Sequence, residues 1–400
     1  MIKSKAFPIW YFVFLVNMRL AIISTHPIQY NAPWFRLLAQ SGKIMIKVFY
    51  TWEQSKLGEN FDPGFGQIIE WDIPLLGGYE YSFVKNVSPD PGTHKFKGIV
   101  NPDLKEELTE WAPDALFVFG WSFDSHLKCL RYFHGKIPIL FRGDSTLLDE
   151  QEGLKKILRR IFLKWVYRHI DIALYTGTNN KAYFEKHGLR NGQLVFAPHA
   201  IDNSRFADVD GTYSLRAKEW RAQLGFTQDD IVVLFAGKLE PKKDPGILLK
   251  LARIVKNSRL KFLLVGNGKL ENDLKKEAAS LENVRFLDFQ NQQTMPVVYR
   301  LGDIFVLPSV GPGETWGLAL NEAMASGLPV LASDKVGGAV DLIQQGQNGY
   351  IFPHGNVEQL HKHLLNISTK PALMGQHSEE IIRSWNFSAI VNSIQSTLIR

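Results

Sequence analysis

Twice along this chain, short apolar runs alternate with amphipathic stretches, and that alternation leaves few folds open. In the first half the runs fall at 19–24, 44–50, 115–119, 137–141, 171–175 and 194–197. In the second half they fall at 231–236, 261–265, 284–287, 304–307, 329–332 and 349–352. Runs of this length, bounded by turn residues, read as strands buried on both faces, with the intervening stretches as crossover helices. Each set would close a doubly wound, Rossmann-like parallel sheet, so the expected architecture is α/β with two such domains facing across a cleft. Ligands of open α/β sheets bind beyond the carboxyl ends of the strands, which places the expected site in that cleft.

The 400 residues suit two domains of about 150–200 residues each. The seam is visible at 198–218, PHAIDNSRFADVDGTYSLRAK, a polar, turn-rich stretch without helical or strand periodicity. We place a first domain at 18–205 and a second at 206–383. A closing helix at 384–400 carries Phe387, Ile390, Val391, Ile394 and Leu398 on one stripe. Residues 1–17 form an extension whose apolar run, Ala6 to Val16, is far short of the roughly 20 residues of a membrane span. Met18 followed by Arg19-Leu20-Ala21-Ile22-Ile23-Ser24 reads as the true start of the fold, with 1–17 as an over-long gene start, ahead of an export signal and of a short membrane-touching extension. The single cysteine, Cys129, rules out an intrachain disulfide and a Cys-based zinc cage. The net charge of +6 suits an anionic small ligand or an acidic membrane surface, and falls short of a nucleic-acid binder.

The most informative segment is 308–333, PSVGPGETWGLALNEAMASGLPVLAS. A strand ends at Pro308-Ser309, a turn with Gly311, Gly313 and Gly317 follows, and a helix is expected from about Trp316 to Ala325. Glycines let backbone N–H groups approach a ligand, and a helix N-terminus adds unpaired donors, so the turn suits phosphate. Glu314 and Glu322 are eight residues apart, about 12 Å along a helix. That separation does not suit two carboxylates flanking one glycosidic bond. It suits an elongated ligand gripped at both ends. Lys238 and Lys243 follow the first strand of the second half, and lysine is a compact charge suited to a diphosphate. Asp208-Val209-Asp210 is a D-x-D triplet, but it sits in the linker, and the 11 histidines show no metal-ligand spacing. No metal site and no cofactor are expected.

Glu314-x7-Glu322, followed by Ala325-Ser326-Gly327 and Leu328-Pro329-Val330, resembles the signature of retaining GT-B glycosyltransferases of the family 4 type. Phe235-Ala236-Gly237-Lys238 with Lys243, Leu264-Val265-Gly266-Asn267-Gly268, Asp303–Ser309, Gly337-Gly338 and Asn348-Gly349-Tyr350 fit the same family in order. The resemblance implies a GT-B fold with a nucleotide-sugar donor bound by the second domain, and no cofactor beyond that co-substrate. It implies donor contacts from Gly237, Lys238, Lys243, Gly266, Gly313, Glu314, Gly317, Leu318 and Glu322. Glu314 would hold sugar hydroxyls, Glu322 the ribose, and the two lysines the departing phosphate. It also implies that the last helix crosses back to the first, acceptor-side domain.

That first domain is less readable. Thr25-His26-Pro27-Ile28-Gln29-Tyr30 follows the first strand, so His26 and Tyr30 are candidates, with His26 also a candidate catalytic group. Family members often carry a Gly-Gly pair there and a histidine after the strand at 115–119. Here Phe119-Gly120-Trp121 stands in its place and His126 follows. Arg142 and Asp144 are further acceptor-side candidates, against the plain reading of Asp144 as a helix cap. Residues 154–168, LKKILRRIFLKWVYR, form a basic amphipathic helix. Its ordinary reading is an apolar side packed on the first sheet. The sharper one is attachment to anionic lipid.

The expected function is transfer of a hexose from a nucleoside-diphosphate sugar to a glycan or lipid-linked hydroxyl, with retention and without metal. It would take place in the cytoplasm, with the cytoplasmic face of the membrane as the partner surface. A sugar-nucleotide epimerase or phosphorylase on the same scaffold is the alternative, and a non-catalytic sugar-binding protein the third reading.

Overall fold

The computed structural model describes residues 18–57, 61–62, 67–68 and 70–399. The extension at 1–17 lies outside the described residues. The strands, in chain order, are β1 Met18–Ser24, β2 Ile44–Tyr50, β3 Phe61–Asp62, β4 Gln67–Ile68, β5 Glu80–Phe83, β6 Ala115–Phe119, β7 Ile139–Arg142, β8 Ile172–Tyr175, β9 Leu194–Phe196, β10 Ile231–Ala236, β11 Leu260–Val265, β12 Val284–Leu287, β13 Ile304–Leu307, β14 Val330–Ser333 and β15 Gly349–Phe352. Seven form one parallel sheet, in the order β5-β2-β1-β6-β7-β8-β9. Six form a second, β12-β11-β10-β13-β14-β15. Strands β3 and β4 pair antiparallel in a small separate ribbon.

Both sheets reverse direction of growth beside their first strand, between β1 and β6 and between β10 and β13. At such a point neighbouring crossovers leave on opposite faces and open a crevice at the strand ends. The strands are near-continuous apolar runs because helices cover both sides: Leu20, Ala21, Ile22 and Ile23 of β1, and Val232 to Phe235 of β10, are fully buried. Strand β5, Glu-Tyr-Ser-Phe, was absent from the sequence expectation. It is an edge strand with exposed positions, so it lacks the apolar signature of a strand covered on both faces.

The final helix, Phe387–Leu398, lies on the first domain. Ile390, Val391 and Ile394 are buried with Trp34, Phe35 and Leu38 of the helix Ala32–Gln40. Its first turn is capped by the Asn386 side chain, which accepts from the Ala389 N–H. Ile201 and Phe206 already pack in the second-domain core with Phe226 and Leu234.

The domains meet along one side through specific bonds. The Thr178 N–H and hydroxyl donate to Asp341, at 3.0 and 2.6 Å. Asn179 donates to the Gly337 carbonyl at 2.9 Å, and Asn321 to the His199 carbonyl at 3.0 Å. Across the cleft mouth, Asn291 donates to the Glu70 carbonyl at 2.6 Å, and the Gln293 N–H to Asp72 at 3.1 Å.

The helix Leu154–Tyr167 departs from its ordinary reading. Only Leu163, Val166 and Tyr167 are buried, while Leu154, Ile157, Leu158, Ile161 and Phe162 face outward. The sheet takes the narrower stripe, and the broad apolar side is left uncovered.

Candidate active site

A cavity of about 310 Å³ lies at the switch point of the second sheet and faces the first domain. Gly237 and Lys238, just beyond β10, form one wall, with Lys243 on the short turn that follows. Gly266, just beyond β11, lies beside them. A Cβ on Gly266 would sit 2.1 Å from the Gly237 carbonyl oxygen, so these two strand ends meet only because residue 266 has no side chain. Leu318, Ala319 and Glu322, on the helix Leu318–Ala325, close another side. Gln29 and Tyr30 enter from the first domain, and Trp71 lines the mouth.

Lys243 Nζ pairs with Glu314 Oε2, and the same carboxylate oxygen accepts from the Ser309 hydroxyl at 2.9 Å. Glu314 is buried, so its charge is held by Lys243 and Ser309 rather than by water. Ser309 owes its place to the end of β13, where its carbonyl accepts from Ser333. Gly317, at φ +90°, starts the helix behind Glu314. A Cβ there would meet Val336 at 2.7 Å, so the turn folds tightly only with glycine. The helix begins at Leu318, two residues later than expected.

Glu322 is also buried, and both of its oxygens are taken by tyrosines. The Tyr299 hydroxyl donates to Oε2 at 2.7 Å, and the Tyr30 hydroxyl, from the other domain, to Oε1 at 3.1 Å. Burial pushes the Glu322 carboxyl above its usual range, against the pull of Tyr299, Arg205 and Tyr30. Burial likewise pushes the hydroxyls of Tyr30 and Tyr299 well up, so both donate as neutral phenols.

Among the described residues, seven sequence candidates do not line the cavity: Glu314 and Gly317, which stand behind Lys243 as described above, and five more. Gly313 does not line the cavity; its N–H donates to Asp149 of the first domain at 2.7 Å. His26 does not line it either. Its Nδ1 sits 2.9 Å from the Thr25 hydroxyl and its ring meets Trp52 edge-on, and burial lowers its pKa to about 4. His126 is fully enclosed, with Nε2 2.8 Å from the Thr51 hydroxyl and Nδ1 2.9 Å from the Phe119 carbonyl. Both ring nitrogens are spent inside the first domain, so His126 ties β2 to β6 rather than touching an acceptor. Arg142 is buried and donates to the carbonyls of Ala197 and Pro198 at 3.1 and 2.9 Å, which anchors the domain seam. Asp144 accepts from the Thr315 hydroxyl at 3.0 Å and joins the domains beside the glycine-rich turn. The D-x-D pair caps a helix, with Asp208 accepting from the N–H groups of Tyr213 and Ser214.

Sequence reasoning passed over Tyr299, Arg205, Ser309 and Trp71 as site residues. Tyr299 and Ser309 reach Glu322 and Glu314 through hydrogen bonds, and Arg205 acts through its charge. Ser309 alone had a visible signal, standing just after a strand that bears the family spacing.

Two parallel sheets with facing switch points and a charged cleft between them define a GT-B fold. In solved structures that fold recurs over nearly the whole chain. A sucrose-phosphate synthase from Thermosynechococcus elongatus superposes with a TM-score of 0.70 at 18% identity, covering 95% of this chain and 98% of that one. Anabaena Alr3699/HepE, in complex with UDP and glucose, superposes with a TM-score of 0.67 at 18% identity, covering 95% and 99%. Residues 216–383, most of the second domain, match the family model "Glycosyl transferases group 1". A D-inositol 3-phosphate glycosyltransferase of Nocardia farcinica is 29% identical over 220 residues, which are 52% of this chain and 47% of that relative. The chain thus aligns with about half the length of that relative.

Proposed function

We propose that the protein is a retaining, metal-independent glycosyltransferase that moves a hexose from a nucleoside-diphosphate sugar to a glycan or lipid-linked hydroxyl. One observation carries the reading: Lys238, Lys243 and Glu322 line a single cavity at the switch point of a glycosyl transferases group 1 domain, with Glu314 bonded to Lys243 behind it. The solved neighbour that binds UDP and glucose with the same fold supports a nucleotide-sugar donor. The diphosphate accepts from Lys238 and Lys243, whose charge stabilises the leaving phosphate as the sugar bond breaks. Glu314, released from Lys243, turns to the sugar hydroxyls. Glu322 exchanges a tyrosine hydroxyl for those of the ribose. The acceptor hydroxyl attacks on the face from which the phosphate leaves, and the leaving phosphate takes its proton. Among the described residues, the two first-domain histidine candidates, His26 and His126, do not line the cavity, so no nucleophile is invoked opposite. The reaction takes place in the cytoplasm, at the membrane's cytoplasmic face where the acceptor is lipid-linked.

A thermal-shift panel of nucleoside diphosphates and their sugars tests the donor. At least one diphosphate should raise the melting temperature, and Glu322→Ala should weaken its binding about 10–100-fold, the loss of hydrogen bonds to a charged group. Binding by none, or unchanged affinity in the variant, would overturn the reading. Incubation of donor without acceptor separates the epimerase alternative, which would release an isomeric sugar nucleotide.

A further inference from the structure

We propose that the outward face of the helix Leu154–Tyr167, with the basic groove beside it, docks the protein on an anionic lipid bilayer. This deepens the transferase reading by naming the surface on which a lipid-linked acceptor is met. It rests on that reading for its purpose and not for the binding itself.

The helix is packed inside out. Relative exposures are 79% at Leu154, 55% at Ile157, 67% at Leu158, 62% at Ile161 and 40% at Phe162, so five large apolar side chains share one uncovered face. Its charges at Lys156 and Arg160 turn inward instead, to Glu150 at 3.1 Å each. A contiguous apolar patch of this kind marks an interaction surface. Its borders are basic: Lys155 on one flank, Lys164 and Arg168 on the other, all exposed.

The patch continues into a groove of about 710 Å³ along the neighbouring helix Asp124–Phe133. Trp165 joins the two, since its ring meets Phe162 at 5.6 Å and lies under the Arg131 guanidinium at 5.5 Å. Lys105, Lys128, Arg131 and Arg168 line the groove against one carboxylate, Asp124. Lys128 spends its charge on that Asp124 and Lys105 on Glu106, which leaves Arg131 and Arg168 beside the apolar face.

Charge decides between occupants. A second copy docked face to face would set Lys155, Lys164 and Arg168 against their own images, which costs energy. An anionic headgroup layer pairs with that rim while the apolar residues enter the acyl boundary. Each basic residue near such a surface strengthens binding about fivefold. Among the described residues no helix is long and apolar enough to cross a membrane, so attachment would be to the surface. The start of the helix also borders the seam between the domains: Lys155 and Arg159 share a hollow of about 470 Å³ with Asp149, Pro312 and Gly313.

The test is co-sedimentation of the full chain with vesicles of phosphatidylcholine alone or with 30% phosphatidylglycerol (about that fraction suffices to set the surface negative). Binding should require phosphatidylglycerol and weaken as salt rises. Leu158→Glu with Ile161→Glu, and separately Lys164→Glu with Arg168→Glu, should each reduce it at least about tenfold while leaving the melting temperature near wild type. Equal binding to both vesicles, no binding to either, or full binding by the variants overturns the proposal. So does a concentration-dependent dimer that Leu158→Glu abolishes. Nucleoside-diphosphate binding is measured beside vesicle binding: both variants should keep it, while in the wild-type chain nucleotide binding without vesicle binding sinks only the docking surface, and vesicle binding without nucleotide binding sinks only the transferase reading.

Discussion

Lys243 and Glu314 neutralise each other in a nearly dry corner of the cleft, where side-chain exposures are 17% and 8%. A buried pair adds little net stability, but removing one partner strands the other charge at a cost of about 3–5 kcal/mol. Lys243→Ala should therefore both lower the melting temperature and depress turnover at least about 100-fold, the scale of losing one electrostatic stabiliser of a transition state. The double variant Lys243→Ala with Glu314→Ala should regain stability and stay inactive. Calorimetry and product assays on the three variants check this, and a double variant no more stable than Lys243→Ala would show that the pair does not set the cost. His126 belongs to the same scale. Burial holds its pKa down at about 4, against 6.5 for a free ring. The unfolded chain therefore takes up a proton first as pH falls. Stability is fully present above about 6.5 and lost between there and about 4, by roughly 3 kcal/mol at most for this group. His126→Gln should flatten that acid limb in a series of melts across pH, at the expense of a lower plateau. An unchanged acid limb would remove His126 as its cause.

Among the elements, the closing helix completes a first-domain core while standing last in the chain. Ile394 is fully buried there. Ile394→Ala should cost about 2–5 kcal/mol of first-domain stability, the usual range for a large apolar side chain cut to alanine. Nucleoside-diphosphate binding, which the proposed function places mostly on the second domain, should change less than about twofold, within the additivity expected of distant sites. Titration calorimetry beside thermal melts separates the two effects, and a parallel loss of affinity would tie the helix to the site. Strands such as β1, β10 and β13 were legible because crossover helices demand unbroken apolar runs. Strand β5 was not, since an edge position tolerates Glu80 and an exposed Tyr81. The helix Leu154–Tyr167 misled in a different way. Amphipathic periodicity reports two faces but not which one meets the core, and here the narrower stripe of Leu163, Val166 and Tyr167 does. In the site, Glu322 stood out through its spacing from Glu314, and Lys243 through its place after β10 in the ordered set of motifs that carries the family resemblance. Tyr299 did not, because its role comes from a hydrogen bond to a helix 23 residues later in the chain, which no local pattern announces.

Across the whole molecule, the cleft is held by a few polar contacts from one domain to the other. Asp149 takes the Gly313 N–H, Asp341 takes the N–H and hydroxyl of Thr178, and Tyr30 reaches Glu322. Each contact is worth about 0.5–3 kcal/mol, with the charge-assisted ones at the upper end. Relative motion is the default for domains joined by polar interfaces of this kind. On the proposed reading a donor meets one of these contacts directly, since a ribose bonded to Glu322 would share or displace the Tyr30 hydroxyl on that carboxylate. That reading predicts that binding and domain separation are coupled through that carboxylate. Asp149→Ala with Asp341→Ala removes two latches outside the cavity without altering a residue that lines it. That double variant should show a larger radius of gyration in solution scattering and faster proteolysis at the 198–218 seam, with each domain melting separately. Its nucleoside-diphosphate affinity should hold or rise, because less closing energy opposes the exchange at Glu322. Wild-type scattering from the double variant, or a fall in affinity, would mean that the seam anchored by Arg142 and the closing helix sets the domain spacing by itself.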